Sequence, residues 1–250
     1  MGPWKVIKPG NELTNQVCQP NKRLSEGDKT LLGRDVEKKM RLFCTSQQFE
    51  SLQRVSADWY AINKFGLDFF REFLDYRYPY SKYDITIVPK NTGYYPAMEY
   101  AGNMQFSEHL VEDNNSRKSS YLAFITFSQL AHQWVGNLVS VEWWDHAYIK
   151  DCTAEYLAQI CYEAWWKEVG AGHQEKYVHP KIWFARRKTE GLFADLSDNT
   201  KSGLRTDIEF AKEQPKNFTN ILYGKGMAVY EELFRLCDPN GREFFRDFVR

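Results

Sequence analysis

One stretch of this chain constrains its fold more than any other. Residues 119–135 read as a single long helix, with Ser119 or Ser120 as its N-cap. Within it, Ser128 and His132 stand four residues apart, so both side chains face the same side, one turn from each other. Gln129 directly follows Ser128. The stretch therefore predicts a helix that presents serine, glutamine and histidine at one site.

The residues around this helix extend the pattern. The chain has Leu130-Ala131-His132-Gln133-Trp134, Gly136-Asn137-Leu138-Val139, Glu142-Trp143-Trp144 and Ala154-Glu155-Tyr156. This run resembles the active site of the aminopeptidase N-like zinc peptidases (peptidase family M1, the gluzincins), which reads H-E-L-A-H-Q-W-x-G-N-L-V, then E-W-W, then N-E-G-x-A-E-Y. On that pattern Ser128 stands for the first histidine, Gln129 for the glutamate base and His132 for the second histidine. Asp151 stands for the glutamate that is the third zinc ligand.

Two further motifs support the resemblance, which covers roughly residues 45–250. Residues 96–100, Pro-Ala-Met-Glu-Tyr, resemble the family's G-x-M-E-N strand, which implies that Glu99 could bind a substrate's amino terminus. Residues 223–226, Tyr-Gly-Lys-Gly, resemble the Y-x-K-G motif, which gives Tyr223 the place of the tyrosine that stabilises the tetrahedral intermediate.

The resemblance implies an α+β fold: a thermolysin-like (gluzincin) catalytic domain with a small sheet packed on a helical subdomain. We expect an N-terminal extended arm at 1–45 and the peptidase-like domain at 46–250. The hydrophobic pattern predicts strands at 40–44, 84–88 and 98–106, and helices at 49–75, 153–168, 226–237 and 241–250. Residues 171–215 show little pattern.

The substitutions remove the chemistry that the resemblance would imply. Catalytic zinc of this type needs three protein ligands and an open position for water. The hydroxyl of Ser128 does not replace an imidazole, and Asp151 is shorter than glutamate by about 1.5 Å, one C–C bond. Gln129 has no titratable proton acceptor for the attacking water. We therefore expect no active catalytic residue and no zinc or other cofactor, with His132, Asp151 and Tyr223 as vestigial positions.

Composition limits the class of partner. There are 33 basic and 33 acidic residues, so no charge excess points to nucleic acid or anionic lipid. The N-terminus has no signal-peptide core, and no apolar run is long enough to span a bilayer. Five cysteines without C-x-x-C spacing favour reduced thiols and an intracellular location. Analogy with inactive peptidases that serve as scaffolds in organelles points to a mitochondrial complex.

Three functions follow as hypotheses. The first is a non-catalytic, peptidase-like subunit of a multiprotein assembly, because the flanking domains of the family are not in this sequence and their contact surfaces would be exposed. The second is a regulatory pseudopeptidase that binds peptides in the old cleft through Glu99. The third is a residual zinc aminopeptidase.

Overall fold

The described part of the chain contains five strands and five α-helices of more than one turn. The computed structural model describes residues 4–7, 40–89, 95–111, 116–169, 174–197, 203–205, 207–209 and 219–237. The strands are β1 (Trp4–Ile7), β2 (Met40–Thr45), β3 (Tyr83–Val88), β4 (Ala97–Met98) and β5 (Asn103–Ser107). The helices are α1 (Phe49–Leu74), α2 (Ser116–Ala131), α3 (Ala147–Glu168), α4 (Pro180–Ser197) and α5 (Gly226–Cys237). A π-helical turn, Ile221–Lys225, leads into α5.

The strands form one mixed sheet in the order β1-β2-β3-β5-β4. The inner pairs β2–β3 and β3–β5 are parallel, and the edge pairs β1–β2 and β4–β5 are antiparallel. Leu42, Ile85 and Met104 lie side by side across the three inner strands, and all three are fully buried. This row places the core on one face of the sheet and confirms the predicted strands at 40–44 and 84–88.

The single strand expected at 98–106 is wrong, because the chain turns back within it. Gly102 has a φ of 68°, a left-handed conformation that glycine adopts without strain. The amide of Asn103 donates to the carbonyl of Tyr100 across this turn. The segment therefore forms β4 and β5 as an antiparallel pair, and Glu99 lies in the connection between them.

Helix α1 confirms the amphipathic pattern at 49–75, because its buried residues recur at helical spacing. It crosses α2 closely: the indole of Trp59 donates to Thr126 Oγ1 at 2.9 Å. A Cβ on Gly66 would lie 2.6 Å from Leu130 and 2.9 Å from Phe127. Aromatic rings of α1, α2 and α3 pack around this crossing, which forms the centre of the helical layer.

The limits of α2 and α3 differ from those predicted. Helix α2 begins at Ser116, so Ser119 and Ser120 are not its N-cap, and it ends at Ala131 rather than at 135. Helix α3 begins at Ala147, six residues before the expected start at Thr153. Thr153 is inside the helix, where its hydroxyl donates to the carbonyl of Ile149 at 2.6 Å. A threonine that bonds back to the preceding turn does not mark a helix start.

The segment 171–215, which shows little pattern, contains helix α4. Its weak apolar periodicity explains the omission, because exposed apolar residues interrupt the polar face. Helix α5 confirms the prediction at 226–237, whereas the helix expected at 241–250 and most of the arm at 1–45 lie outside the described residues. Among the described helices, none combines the length and apolar character needed to cross a membrane.

Candidate functional site

The predicted site residues meet in one cavity of about 610 Å³ between the β4 edge of the sheet and helices α2 and α3. All six of them line it: Glu99, Ser128, Gln129, His132, Asp151 and Tyr223. Aromatic side chains from several elements complete the wall, among them Tyr95, Phe124, Trp143 and Trp144. The structure therefore brings together every residue that the sequence singled out.

His132 lies in the turn that follows α2. Its Nδ1 is 3.0 Å from the carbonyl oxygen of Val135, and because a carbonyl only accepts, Nδ1 carries the proton and donates. Nε2 therefore points into the site, 3.5 Å from Asp151 Oδ1. Gly136 has a φ of 116° and lets the chain reverse directly after this turn. The turn fixes both the orientation and the tautomer of the imidazole.

Lys150 is the neighbour of Asp151 on the first turn of α3, and its ammonium enters the same site. Its Nζ is 3.2 Å from Asp151 Oδ1 and 3.2 Å from Glu99 Oε1. Burial opposes ionisation of Glu99, but the positive charges of His132, when both its nitrogens carry a proton, and of Lys150 outweigh burial and lower the pKa of Glu99 to about 2. Burial likewise raises the pKa of Asp151, where it outweighs the opposing effect of Lys150. The ammonium of Lys150 thus forms ion pairs with the buried carboxylate of Asp151 and the partly buried carboxylate of Glu99.

Ser128, at the place of the family's first histidine, is part of a separate network. Its hydroxyl donates to Glu155 Oε1 at 2.9 Å, and Arg187 of helix α4 donates to Glu155 Oε2 at 2.5 Å. The Arg187 guanidinium also lies 5.3 Å from the centroid of the Phe124 ring, within cation–π range. The Ser128 hydroxyl proton is therefore bonded to a buried carboxylate within the protein.

Gln129 stands at the position of the general base. Its side chain is buried, and among the described residues its Oε1 has no hydrogen-bond partner. An amide oxygen accepts a hydrogen bond but does not take up a proton near neutral pH. The geometry therefore places a polar acceptor toward the cavity without supplying a base.

Two side chains that sequence reasoning did not assign hold Glu99 in place. Gln133 Oε1 accepts from the backbone amide of Gly102 at 3.0 Å, and its Nε2 donates to the carbonyl of Glu99 at 3.2 Å. Asn137 Nδ2 donates to the same carbonyl. Both belong to the motif run, so their identity was visible in the sequence, but their role needed the fold of the 98–106 segment.

Tyr223 is on the π-helical turn and lines the cavity. Burial raises the pKa of its phenol well above the usual value, so the hydroxyl stays protonated. The turn is packed directly against α4: a Cβ on Gly224 would lie 2.6 Å from the carbonyl oxygen of Arg187 and 2.6 Å from the Cα of Gly191. This close contact explains a glycine directly after Tyr223.

The residues around His132 and Asp151 do not fit a catalytic zinc ion. Such a site uses three protein ligands at about 2.0–2.2 Å from the metal. Here His132 Nε2 and Asp151 Oδ1 are two donors, Ser128 is bonded to Glu155, and the ammonium of Lys150 lies 3.2 Å from the Asp151 oxygen. Across the described part of the chain, no three His, Cys, Asp or Glu side chains are grouped so as to hold a metal ion.

Arg187 and Lys150 are two further site residues whose roles sequence reasoning missed. Lys150 stands at the place of an asparagine in the motif run, but its contact with Glu99 joins residues 51 positions apart. Arg187 lies 32 positions from Glu155 in the segment without clear pattern. Glu155 belongs to the motif run, but its burial, which requires a cation nearby, is visible only in the fold.

Comparison with known proteins agrees with the motifs. A family model described as the peptidase family M1 domain matches residues 60–250. Aminopeptidase N of Streptomyces lividans is 31% identical over 178 residues, which are 70% of this chain and 20% of that protein. Endoplasmic reticulum aminopeptidase 2 of Homo sapiens is 35% identical over 188 residues, 72% of this chain and 18% of that protein. Aminopeptidase M1-D of Oryza sativa subsp. japonica is 30% identical over 174 residues, 67% of this chain and 18% of that protein. The chain thus spans about a fifth of the length of these curated relatives.

Proposed function

We propose that this chain, which belongs to peptidase family M1, is a non-catalytic member that acts as a structural or interaction component of a larger protein assembly. The relatives named above are aminopeptidases, so the family itself is one of enzymes. The observation that carries the proposal is the Ser128–Glu155–Arg187 network, because it commits the position of the first zinc ligand to a contact within the protein.

The position of the general base supports the same conclusion independently. Hydrolysis by this family type needs a group that takes a proton from water and returns it to the leaving amine. Gln129 offers only an amide at that position. Even with a metal ion bound, the side chain at this position would therefore not take the proton from water and return it to the leaving amine.

The surface of helices α4 and α5 supports a role in an assembly. The ion pair between Lys188 and Glu231 joins these two helices. Phe193 and Leu196 are 64% and 73% exposed on α4, and Leu236 is 74% exposed on α5. Further exposed apolar side chains on the same two helices are Ile182, Leu192, Val229 and Leu233. Apolar side chains exposed on two joined helices support an interface with a partner.

The proposal includes two finer points. We assign the α+β domain to the thermolysin-like (gluzincin) type, because its cleft lies between an antiparallel sheet edge and two helices that carry the motif residues. We also place the protein in a reducing, intracellular compartment, with a mitochondrial complex as the host that analogy suggests. All four described cysteines are free thiols, and three of them are buried.

A peptidase assay with metal analysis tests the loss of catalysis. The purified chain is incubated with aminoacyl p-nitroanilides, with and without added Zn²⁺, and we expect no turnover above the buffer rate. The chain with Ser128→His, Gln129→Glu and Asp151→Glu, together with Lys150→Met to remove the ammonium beside residue 151, is the positive comparison for metal binding. Turnover by the unaltered chain that is lost on Asp151→Ala would establish the residual zinc aminopeptidase instead.

The oligomeric state tests the assembly role. Gel filtration of the native protein should give a particle much larger than the 29.5 kDa chain. Phe193→Asp together with Leu196→Asp should reduce that size, whereas the exposed polar change Lys181→Asp on the same helix should not. A single species near the mass of one chain, in native extract and after purification alike, would refute the assembly role.

Peptide binding remains a second candidate because the cavity is open and Glu99 lines it. One Glu99 oxygen already contacts Lys150, which weakens its attraction for a second ammonium group. Calorimetry with peptides that differ only in a free or an acetylated amino terminus tests this role. Binding that needs the free terminus and is lost in Glu99→Gln would establish it, and the absence of heat with either peptide would remove it.

A further inference from the structure

The side chain of Lys150 is largely buried and closely packed in the site. Only 11% of it is exposed. Its aliphatic stem passes Gly136 so closely that a Cβ there would lie 3.2 Å from Lys150 Cδ. Its Nζ reaches Glu99 Oε1 and Asp151 Oδ1, each at 3.2 Å. The backbone turn and the two carboxylates together form a cradle for one ammonium group.

We propose that the ammonium of Lys150 is the resident cation of this site and excludes a divalent metal ion from the space between Glu99, His132 and Asp151. The inference rests on the proposed function in that it treats the unaltered site as free of metal. It goes further, because it assigns the exclusion to one side chain and predicts that the remaining donors can bind a metal once that side chain is neutral.

Charge and distance both support this assignment. A dication near Asp151 Oδ1 would lie close to a positive charge in a buried site, where screening is weak. The ammonium contacts Glu99 Oε1 and Asp151 Oδ1 at 3.2 Å each, about 1 Å longer than zinc–oxygen bonds of about 2.0–2.2 Å, so it occupies the space between the two oxygens that a shared metal ion would need.

The ammonium stays charged in this environment. Two carboxylate oxygens, Asp151 Oδ1 and Glu99 Oε1, face it at 3.2 Å each and favour its charged form. The imidazole of His132 is already oriented by its bond to Val135, with Nε2 toward Asp151. As they stand, these donors are not among any group of described residues placed to hold a metal ion. Without the ammonium between them, the two carboxylates and Nε2 of His132 can close on one ion, and such oxygen and nitrogen donors are a set that zinc accepts.

The test compares Zn²⁺ binding by the unaltered chain and by Lys150→Met, using calorimetry and the thermal midpoint with and without Zn²⁺. We expect Lys150→Met to bind one Zn²⁺ at least about a hundredfold more tightly than the unaltered chain, because a buried like charge is removed. Zn²⁺ should raise the thermal midpoint of the variant but not that of the unaltered chain. Lys64→Met, which removes a lysine from a surface pair with Asp68, is the matched control and should behave like the unaltered chain.

A second substitution locates the site. Adding Asp151→Asn to Lys150→Met should abolish the gain in affinity. The proposal is overturned if Lys150→Met binds Zn²⁺ no more tightly than the control, or if the gain survives Asp151→Asn. If Lys150→Met does not fold alone, refolding with and without Zn²⁺ decides: recovery that requires Zn²⁺ supports the proposal, and any other result refutes it. Turnover by the unaltered chain is measured separately, so failure here leaves the proposed function standing.

Discussion

Replacing Arg187 with methionine should destabilise the protein strongly. Its guanidinium donates to Glu155 Oε2 at 2.5 Å, and the two side chains are 19% and 7% exposed. Methionine fills much of the same apolar space but carries no charge. The substitution therefore leaves the carboxylate of Glu155 buried, with the hydroxyl of Ser128 as the one remaining donor among its contacts described above.

The expected cost follows from the burial of the pair. Removing one partner of a buried ion pair costs about 3–5 kcal/mol, because the other charge stays buried without compensation. The lost contact between the guanidinium and the Phe124 ring acts in the same direction. For a domain of this size, each kcal/mol lowers the melting temperature by about 2–4 °C, so we expect a decrease of roughly 6–20 °C.

Equilibrium unfolding in urea, followed by tryptophan fluorescence, measures the free energy directly. Arg186→Met is the matched control, because Arg186 is the neighbouring residue on the same helix. Its ion pair with Glu190 is 2.7 Å long, but the two side chains are 43% and 38% exposed. An exposed pair four residues apart contributes only about 0.3–0.5 kcal/mol, so this variant should lose little stability.

A double variant separates the charge from the packing. Adding Glu155→Gln to Arg187→Met removes the uncompensated carboxylate and should recover a large part of the lost stability. If Arg187→Met costs no more than Arg186→Met, or if Glu155→Gln brings no recovery, then Glu155 is not a buried charge that depends on Arg187. The account of the Ser128 position would then be wrong.

Three further predictions address the rest of the site. The cations that face Glu99 outweigh burial and lower its pKa to about 2, from an ordinary 4.5. The charge of Glu99 therefore stabilises the folded protein above pH 4.5, and this stabilisation is lost as the pH falls toward 2. The stability difference between the unaltered chain and Glu99→Gln, from urea titrations at pH 2 to 6, should therefore shrink by roughly 3 kcal/mol on acidification, at about 1.36 kcal/mol per pKa unit. Gln133→Leu should cost about 1–3 kcal/mol and speed amide exchange at Gly102, since the buried amide of Gly102 loses its acceptor. Gly224→Ala should lower the free energy of unfolding, measured by thermal melting, by about 1–3 kcal/mol or more, because its Cβ would lie 2.6 Å from backbone atoms of α4. In the control Gly203→Ala, the added Cβ would lie no closer than 3.4 Å to any atom.

The predictions that rested on local spacing were the accurate ones. Helix α1 was predictable because its apolar residues repeat at three and four positions, a signal that needs no partner. The meeting of His132 and Asp151 was predictable from the motif run, and the structure places their side chains 3.5 Å apart. The strand at 98–106 failed because the turn at Gly102 is set by contacts with Gln133, 31 positions away.

The electrostatic partners could not be predicted, because they join distant parts of the chain. Nothing in the sequence near Glu155 shows that its cation comes from α4, and nothing near Glu99 shows that its cation comes from α3. Helix α4 itself was overlooked, because its apolar residues do not lie on one face. The sequence therefore showed which side chains had changed, and the fold was needed to show what they contact.

The two ion-pair clusters also bear on the proposed non-catalytic role, because they supply the cleft's carboxylates with charged partners from the chain itself. In a zinc site, the carboxylates are compensated by the ion, and without it they repel one another in a buried environment. Here Lys150 forms ion pairs with Glu99 and Asp151, and Arg187 forms an ion pair with Glu155. Each of these carboxylates is therefore paired with a cation from the chain itself. The carboxylates of such a site are compensated whether or not a metal binds, and contacts within the chain maintain the shape of the cleft. That property suits a domain whose contribution is its surface and shape, which is why the two clusters and the proposed non-catalytic role support each other.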